Sequence, residues 1–262
     1  MSKPHAPSPL AYALDGREID LLHYIYSHPD LRTLRNNPPA ILAAIDTYSH
    51  THNPLMNIGA TKGTYIRDLI VAHRPQVMIE LGGYVGYSAI LFGATLRAAG
   101  GTRYLSLEQN PEMAAVANQL VDLAGLKDVV RVVVGSAASS LRELVADGEL
   151  QAVELVFLDH WQELYLPDLW LMEELGVLVP EKSVVIADNV VMPGAPQYLE
   201  WVRAGCAEKR GLLESRKGEK GWEARGLRPR PGLVYQTLVR EFETQFGRDG
   251  VAVTTVLGEE DV

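Results

Sequence analysis

Cysteine is almost absent from this sequence: Cys206 stands alone among 262 residues. A single thiol excludes an internal disulfide framework and any cysteine-built metal cluster, and it agrees with a reducing compartment. Long apolar runs are missing as well. The apolar stretches are strand-sized and interrupted, well short of the roughly 20 residues of a membrane-spanning helix. Met1 to Pro9 carries proline but no apolar signal-peptide core, so no membrane association and a cytoplasmic location are expected. Basic residues are outnumbered, 24 against 33 acidic, for a formal net charge of −9. That balance argues against nucleic acid as a partner.

What is present is enough chain for a sizeable core and a regular alternation of apolar runs with amphipathic stretches. The alternation starts near residue 61. Strands are expected at about 77–81, 103–107, 130–134, 153–158 and 183–187. Helices are expected near 61–73, 86–98, 111–124, 138–147, 166–175 and 195–209. Such an order calls for an α/β fold, with a mostly parallel sheet covered by helices on both faces. Ahead of it, residues 15–28 repeat Ile19, Leu22, Ile25 and Tyr26 on one helical face, and Pro38-Pro39 opens a second helix. Residues 1–55 therefore read as a helical extension serving as a cap or an interface, and 56–240 as the main domain. Residues 241–262 hold six acidic side chains and one basic one and read as an acidic tail. Leu212 to Ser215 and Leu233 to Val239 are candidate late strands. Lys217 to Arg230, rich in glycine and charge, reads as a loop. It is either a solvated face or a substrate loop joining the last two strands on the ligand side of the sheet.

Two places carry chemistry. Val156-Phe157-Leu158 runs straight into Asp159-His160-Trp161, and Ser183 to Ala187 runs into Asp188-Asn189. If these strands are parallel neighbours, Asp159, Asp188 and Asn189 converge at the carboxyl edge, where open α/β sheets bind ligands. Two carboxylates and an amide oxygen form a hard donor set suited to Mg²⁺. Either aspartate alone would read as an ordinary turn former; the pair in matching context favours the site. Upstream, Val77 to Leu81 is followed by Gly82-Gly83-Tyr84-Val85-Gly86-Tyr87-Ser88. Glycines there permit a tight turn and close approach to a ligand. The spacing is G-G-x-x-G rather than the nicotinamide pattern G-x-G-x-x-G. The next strand ends at Glu108, a carboxylate placed to accept hydrogen bonds from a ribose diol. An adenosine-bearing cofactor is expected.

The ordered set Met56-Asn57-Ile58-Gly59, Glu80 to Ser88, Glu108-Gln109-Asn110-Pro111, Phe157 to Trp161 and Ala187 to Val190 resembles the catechol O-methyltransferase family. Pro193-Gly194 and Tyr198-Leu199 continue the match, which runs from about 56 to 235. The resemblance implies a Rossmann-like class I methyltransferase fold of seven strands in the order 3-2-1-4-5-7-6, the last antiparallel. It implies S-adenosylmethionine and Mg²⁺ as cofactors and a diphenol or related small molecule as acceptor. By the same resemblance, Asn57, Glu80, Gly82, Tyr84, Tyr87 and Ser88 contact the methionine end and glycine loop of the cofactor. Ile58 packs beside it, and Glu108 takes the ribose. Gln109, Ser136 and Ala137 border the adenine, and Trp161 packs on the same ring. Ser136 and Ala138 stand where relatives have Ala and Gln. Asp159, Asp188 and Asn189 match the metal ligands, with Asp159 also facing the cofactor.

One departure stands out. Relatives carry a lysine general base after Asp-His-Trp; here the residue is Gln162, and an amide cannot take a phenolic proton at neutral pH. Either the metal suffices, or His160 contributes, or the acceptor is not a catechol. Glu223, or alternatively Glu219, is expected to hold the second hydroxyl of the acceptor. Pro54 and Leu55 stand where relatives place an aromatic wall, and Met192 and Pro193 supply another. An NAD-dependent oxidoreductase and a noncatalytic binding protein are the competing readings. The assembly expected is a monomer, or a homodimer through the N-terminal helices.

Overall fold

The computed structural model describes residues 13–220, 222, 226–244 and 247–261. Five short strands build the parallel part of one sheet: β1 (Val77–Leu81), β2 (Arg103–Glu108), β3 (Val130–Val134), β4 (Leu155–Leu158) and β5 (Val184–Ala187). Two long strands complete it, β6 (Leu233–Thr244) and β7 (Gly247–Glu259). The order is β3-β2-β1-β4-β5-β7-β6. β7 runs antiparallel to both of its neighbours. This is the seven-stranded order that the resemblance implied.

Successive side chains of a strand point to opposite faces, and this divides the interior in two. Met78, Phe157 and Ile186 enter one apolar layer with Phe92 of α5 (Tyr87–Ala98). Ile79, Val156, Leu158 and Val185 enter the other with Trp170 and Trp201, which belong to α8 (Tyr165–Glu174) and α9 (Pro196–Arg203). Helices thus cover both faces. Their starts are written locally. Asn110 caps α6 (Pro111–Leu123), its Oδ1 accepting from Glu112 N at 2.8 Å and Met113 N at 3.1 Å. Proline at the next position costs no hydrogen bond there.

The N-terminal helices are not a separate body. α1 (Arg17–Tyr26), α2 (Leu31–Leu34) and α3 (Pro38–Thr51) bury Leu21, Ile25, Ile41 and Ile45 in the same apolar cluster as Phe92 and Phe157. α4 (Gly59–His73) leads from them into the sheet.

The C-terminal stretch corrects the expectation of an acidic tail from residue 241. Residues 247–259 are β7, inserted between β5 and β6 with Val251, Ala252 and Val256 fully buried. The acidic residues of this stretch sit at the ends of the strands, while its apolar residues fill the middle. A second correction concerns 212–215, which is helical: α10 (Cys206–Ser215) follows α9 after a break at Ala204–Gly205. A third concerns the loop before β6. β6 runs parallel to β1–β5, so the chain must enter it at the amino edge of the sheet. The described part of 217–230 lies there: Trp222 packs on Trp170 at 6.0 Å, and Arg228 N and Arg230 N donate to Glu174 and Glu173. It is the paired ends of β6 and β7, at Thr244 and Gly247, that reach the ligand edge.

Among the described residues, no helix is long and apolar enough to cross a membrane.

Candidate active site

The ladder hydrogen bonds continue one residue past the strand ends and line up the candidate residues. Asp159 N donates to Leu81 O at 2.9 Å and Asp188 N to Leu158 O at 3.0 Å. Gly82 N donates to Leu107 O at 2.9 Å. Gly82, Asp159 and Asp188 therefore stand side by side along the carboxyl edge. Gly82 has φ +98°, and a Cβ there would come within 2.5 Å of the carbonyl oxygen of Asp159. Only glycine combines that left-handed backbone with so close an approach.

Glu108 ties the turn down. Its Oε2 accepts from Gly83 N at 3.1 Å and Tyr84 N at 2.8 Å, and its Oε1 from Asn110 N at 2.7 Å. Burial raises its pKa, and these N–H donors oppose the rise. Gly135 N donates to Glu108 O at 3.0 Å, which brings Ser136 and Ala137 beside the same strand tip. Ser136 is also the N-cap of α7 (Ala137–Ala146), its hydroxyl accepting from Ser139 N at 3.1 Å. Gln109 is exposed at the rim. Tyr84 and Tyr87 are clamped from the N-terminal helices: Tyr84 OH donates to Glu18 at 2.9 Å and Tyr87 OH to Asp46 at 3.2 Å. The cap thus closes over the glycine turn.

Two buried acceptor atoms here have no hydrogen-bond partner, Asn57 Oδ1 and Glu80 Oε1. An unsatisfied buried acceptor is costly; a charged amine, as a free amino acid bears, is a donor of the kind each of them lacks. Ile58 is buried next to Asn57, and Ser88 is buried two residues beyond Gly86. Glu80 is fully buried on β1 and accepts from Ser106 Oγ at 2.6 Å. Burial pushes its pKa up to about 7, against the opposing hydrogen bond from Ser106. The folded protein therefore holds this proton more tightly than the unfolded chain. Stability without cofactor is expected to fall as pH rises from about 4.5 to about 7. Glu80→Gln should remove that slope and raise stability at pH 8 by up to roughly 3 kcal/mol, at about 1.36 kcal/mol per unit. Urea midpoints of both proteins from pH 4 to 8 test this; parallel profiles would refute it.

The carboxylates form the second half of the site. Asp188 is buried and Asp159 half-buried, and desolvation raises the pKa of each; repulsion from Asp188 adds to the rise of Asp159. Lys62, from the first turn of α4, donates to Asp188 Oδ1 at 2.7 Å and to Asp249 Oδ2 at 2.6 Å. Burial works against its charge, but the two carboxylates win and hold its pKa above the usual lysine value. Asn189 adopts φ +54°, a conformation asparagine tolerates, and its Nδ2 donates to Asp249 Oδ2 at 2.8 Å. Among the described residues, no three His, Cys, Asp or Glu side chains gather as a metal cluster. A cation here would rely on two carboxylates and the Asn189 amide. That donor set suits a hard cation, and two desolvated carboxylates held close together are what such an ion relieves.

Gln162 begins a short turn, Gln162–Leu164, that is half-buried, and its side chain lies against the Tyr165 hydroxyl. Tyr165 OH donates to Asp188 O at 3.1 Å. His160 packs its ring 5.2 Å from that of Tyr165; Nε2 pairs with Asp168 at 2.8 Å, while its buried Nδ1 has no partner. Trp161 is 44% exposed, as a side chain offering a ring face at the rim would be. Met192 stands next to the hairpin, its Cε 3.2 Å from where a Cβ on Gly247 would lie. Pro54 is exposed and its carbonyl accepts from Arg17. Glu223 lies outside the described residues. Glu219 pairs with Arg216 at 3.0 Å, in the segment that leads to the amino edge.

Sequence reasoning missed Lys62, Asp249, Asp168 and Tyr165. Asp249 had a usable signal: the apolar run Val251-Ala252-Val253 after Asp249-Gly250 reads as a strand. Lys62 had none, since a lysine on a helix is ordinarily solvated.

A family model described as O-methyltransferase matches residues 38–198. The chain belongs to the O-methyltransferase family. It is 37% identical over 212 residues to bovine (Bos taurus) catechol O-methyltransferase, covering 79% of this chain and 75% of that protein. The pig (Sus scrofa) catechol O-methyltransferase is 44% identical over 151 residues, 58% of this chain and 79% of that one. Among solved structures, the Bacillus cereus O-methyltransferase in complex with SAH superposes with a TM-score of 0.59 at 20% identity, over 90% of this chain and 97% of that one. This O-methyltransferase family member is thus an S-adenosylmethionine-dependent enzyme of the class I fold, which sets aside the nicotinamide and noncatalytic readings.

Proposed function

We propose that this O-methyltransferase moves the methyl group of S-adenosylmethionine to one hydroxyl of a catechol-like diphenol, with Mg²⁺ bound at Asp159, Asp188 and Asn189. The observation that carries the reading is the row of Gly82, Asp159 and Asp188 on one sheet edge, joined by successive hydrogen bonds past β1, β4 and β5. The names of the mammalian relatives support the acceptor class. When bound, Mg²⁺ supplies charge to two vicinal oxygens and the cofactor supplies an electrophilic methyl group.

The chain's own residues do the rest. Glu108 fixes the glycine turn and sets a carboxylate at the strand tip where a ribose diol would lie. Asn57 and Glu80 offer acceptors to the amino-acid end. The Glu18 and Asp46 clamps hold Tyr84 and Tyr87 in the turn, so the cofactor site is rigid before the acceptor arrives. Trp161 and Met192 flank the edge where a flat ring would lie. Gln162 orients without accepting a proton. The phenolic proton must therefore leave to solvent, or to His160 through its free Nδ1.

Labelled S-adenosylmethionine incubated with catechol tests this. Transfer should require Mg²⁺, stop on rigorous chelation and return when Mg²⁺ is restored. Full turnover in metal-free protein would sink the metal reading. Transfer to monophenols as fast as to catechols would sink the acceptor class.

A further inference from the structure

Asp249 sits at the root of the β6–β7 hairpin, opposite Phe242, with a side chain only 3% exposed. Four donors converge on its carboxylate. Oδ2 accepts from Lys62 Nζ at 2.6 Å and Asn189 Nδ2 at 2.8 Å; Oδ1 accepts from Met192 N at 2.9 Å; the Gly250 N–H adds a fourth. One group therefore ties together α4, the exit of β5 and the start of β7, segments up to 187 residues apart.

Each bond has a consequence at the edge of the sheet. Because the Asn189 NH₂ points at Asp249, its amide oxygen must occupy the other branch of the fork, and only that oxygen is a ligand for a cation. Lys62 engages Oδ1 of Asp188 and the Asn189 N–H also reaches that carboxylate; sharing the ammonium with Asp249 limits its hold on Asp188, which keeps lone pairs for a cation. The charges also match. Asp159, Asp188 and Asp249 against Lys62 leave two negative charges, which a divalent ion balances.

We propose that Asp249 is a positioning residue for the metal site: it orients the Asn189 amide and restrains Lys62 from neutralising Asp188. The inference rests on the Mg²⁺ reading above. Without the Asp249 charge, the buried ammonium has Asp188 as its sole carboxylate partner among these groups, and it competes with the metal there.

The test is direct metal binding in the absence of any acceptor, by calorimetry with Mg²⁺ and by the electron-spin signal of Mn²⁺. Asp249→Asn keeps the size and one acceptor oxygen but removes the charge. It should weaken metal binding by about 10–100-fold, the range for partners that orient ligands, with S-adenosylhomocysteine affinity changed by less than about threefold. The double variant Lys62→Met with Asp249→Asn removes the ammonium together with one of its two carboxylates, so Lys62 no longer competes for Asp188 and the charge sum is restored. Its metal affinity should return to within about threefold of wild type. Wild-type metal affinity in Asp249→Asn, or a double variant no better than the single one, would overturn the proposal and leave Asp249 as a hairpin anchor. If the wild-type protein binds neither ion, the Mg²⁺ reading falls first and this inference falls with it.

Discussion

Asp159→Ala should lower kcat/KM for catechol by about a thousandfold or more while leaving the metal-free fold as stable as before, or more so. The activity loss follows from removing one of two carboxylates at a site where a bound cation contributes several kcal/mol, and each 1.36 kcal/mol is about tenfold in rate. The stability effect has the opposite sign for a reason visible in the structure. Asp159 is half-buried beside Asp188 and Glu80, and its pKa is raised by desolvation first and by those charges second. A carboxyl whose folded pKa lies above its unfolded one costs stability as pH rises through that interval. Alanine removes the cost. A functional group that weakens the resting fold is a familiar compromise. Melting curves of metal-free protein at pH 5 and pH 8, with steady-state kinetics in Mg²⁺, test both halves. A variant that keeps its activity would end the assignment. A variant less stable at pH 8 than wild type would mean Asp159 holds the metal-free fold together, contrary to its surroundings.

Gln162→Lys should raise kcat/KM toward ordinary catechols at neutral pH, by as much as the roughly 10²–10⁴-fold typical of a positioned acid–base group. Wild type has no amine here, so its acceptor must ionise before attack. Its rate should climb with pH until the bound phenol is ionised, and electron-poor catechols should outpace electron-rich ones. An amine at 162 would flatten both trends once deprotonated. Gln162 lies against the Tyr165 hydroxyl, which is bonded to Asp188 O. A lysine there would stand near the paired aspartates, which favour its charged form; a bound cation opposes that bias. The full gain therefore needs Mg²⁺. Kinetics against pH with a graded set of substituted catechols decides the matter. If wild type ignores acceptor acidity and the lysine variant gains nothing, the base is elsewhere. His160→Ala is then the next variant, since His160 keeps an unpartnered Nδ1 while Asp168 holds its Nε2.

Several misreadings of the sequence share one cause. The stretch 241–262 looks like a tail because its charges are counted together, yet Glu241, Glu243 and Asp249 flank the hairpin and Glu259 to Asp261 close the strand. Between them Val251 to Val256 is a strand core. Leu212 to Ser215 is four residues long, too short for period to separate strand from helix. The basic loop of 217–230 falls on the wrong edge when β6 is taken to be followed by a long loop. Strand direction decides which edge a connection reaches, and direction is a property of the whole sheet.

The residues by themselves determined what depends on near neighbours along the chain. An apolar run ending in aspartate makes a strand with a polar tip at Asp159 and at Asp188, and Asn110-Pro111 starts a helix, because alternation and capping act over two to four residues. The glycine turn belongs with these, since φ +98° at Gly82 is a local demand. Tertiary structure alone decided the rest. It set Lys62 between Asp188 and Asp249, turned the Asn189 NH₂ toward Asp249, and fastened Tyr84 and Tyr87 to the N-terminal helices. It also made Glu80 hold its proton to about pH 7. Those outcomes depend on burial and on partners tens to hundreds of residues away. A buried charge takes its state from whatever the fold packs against it.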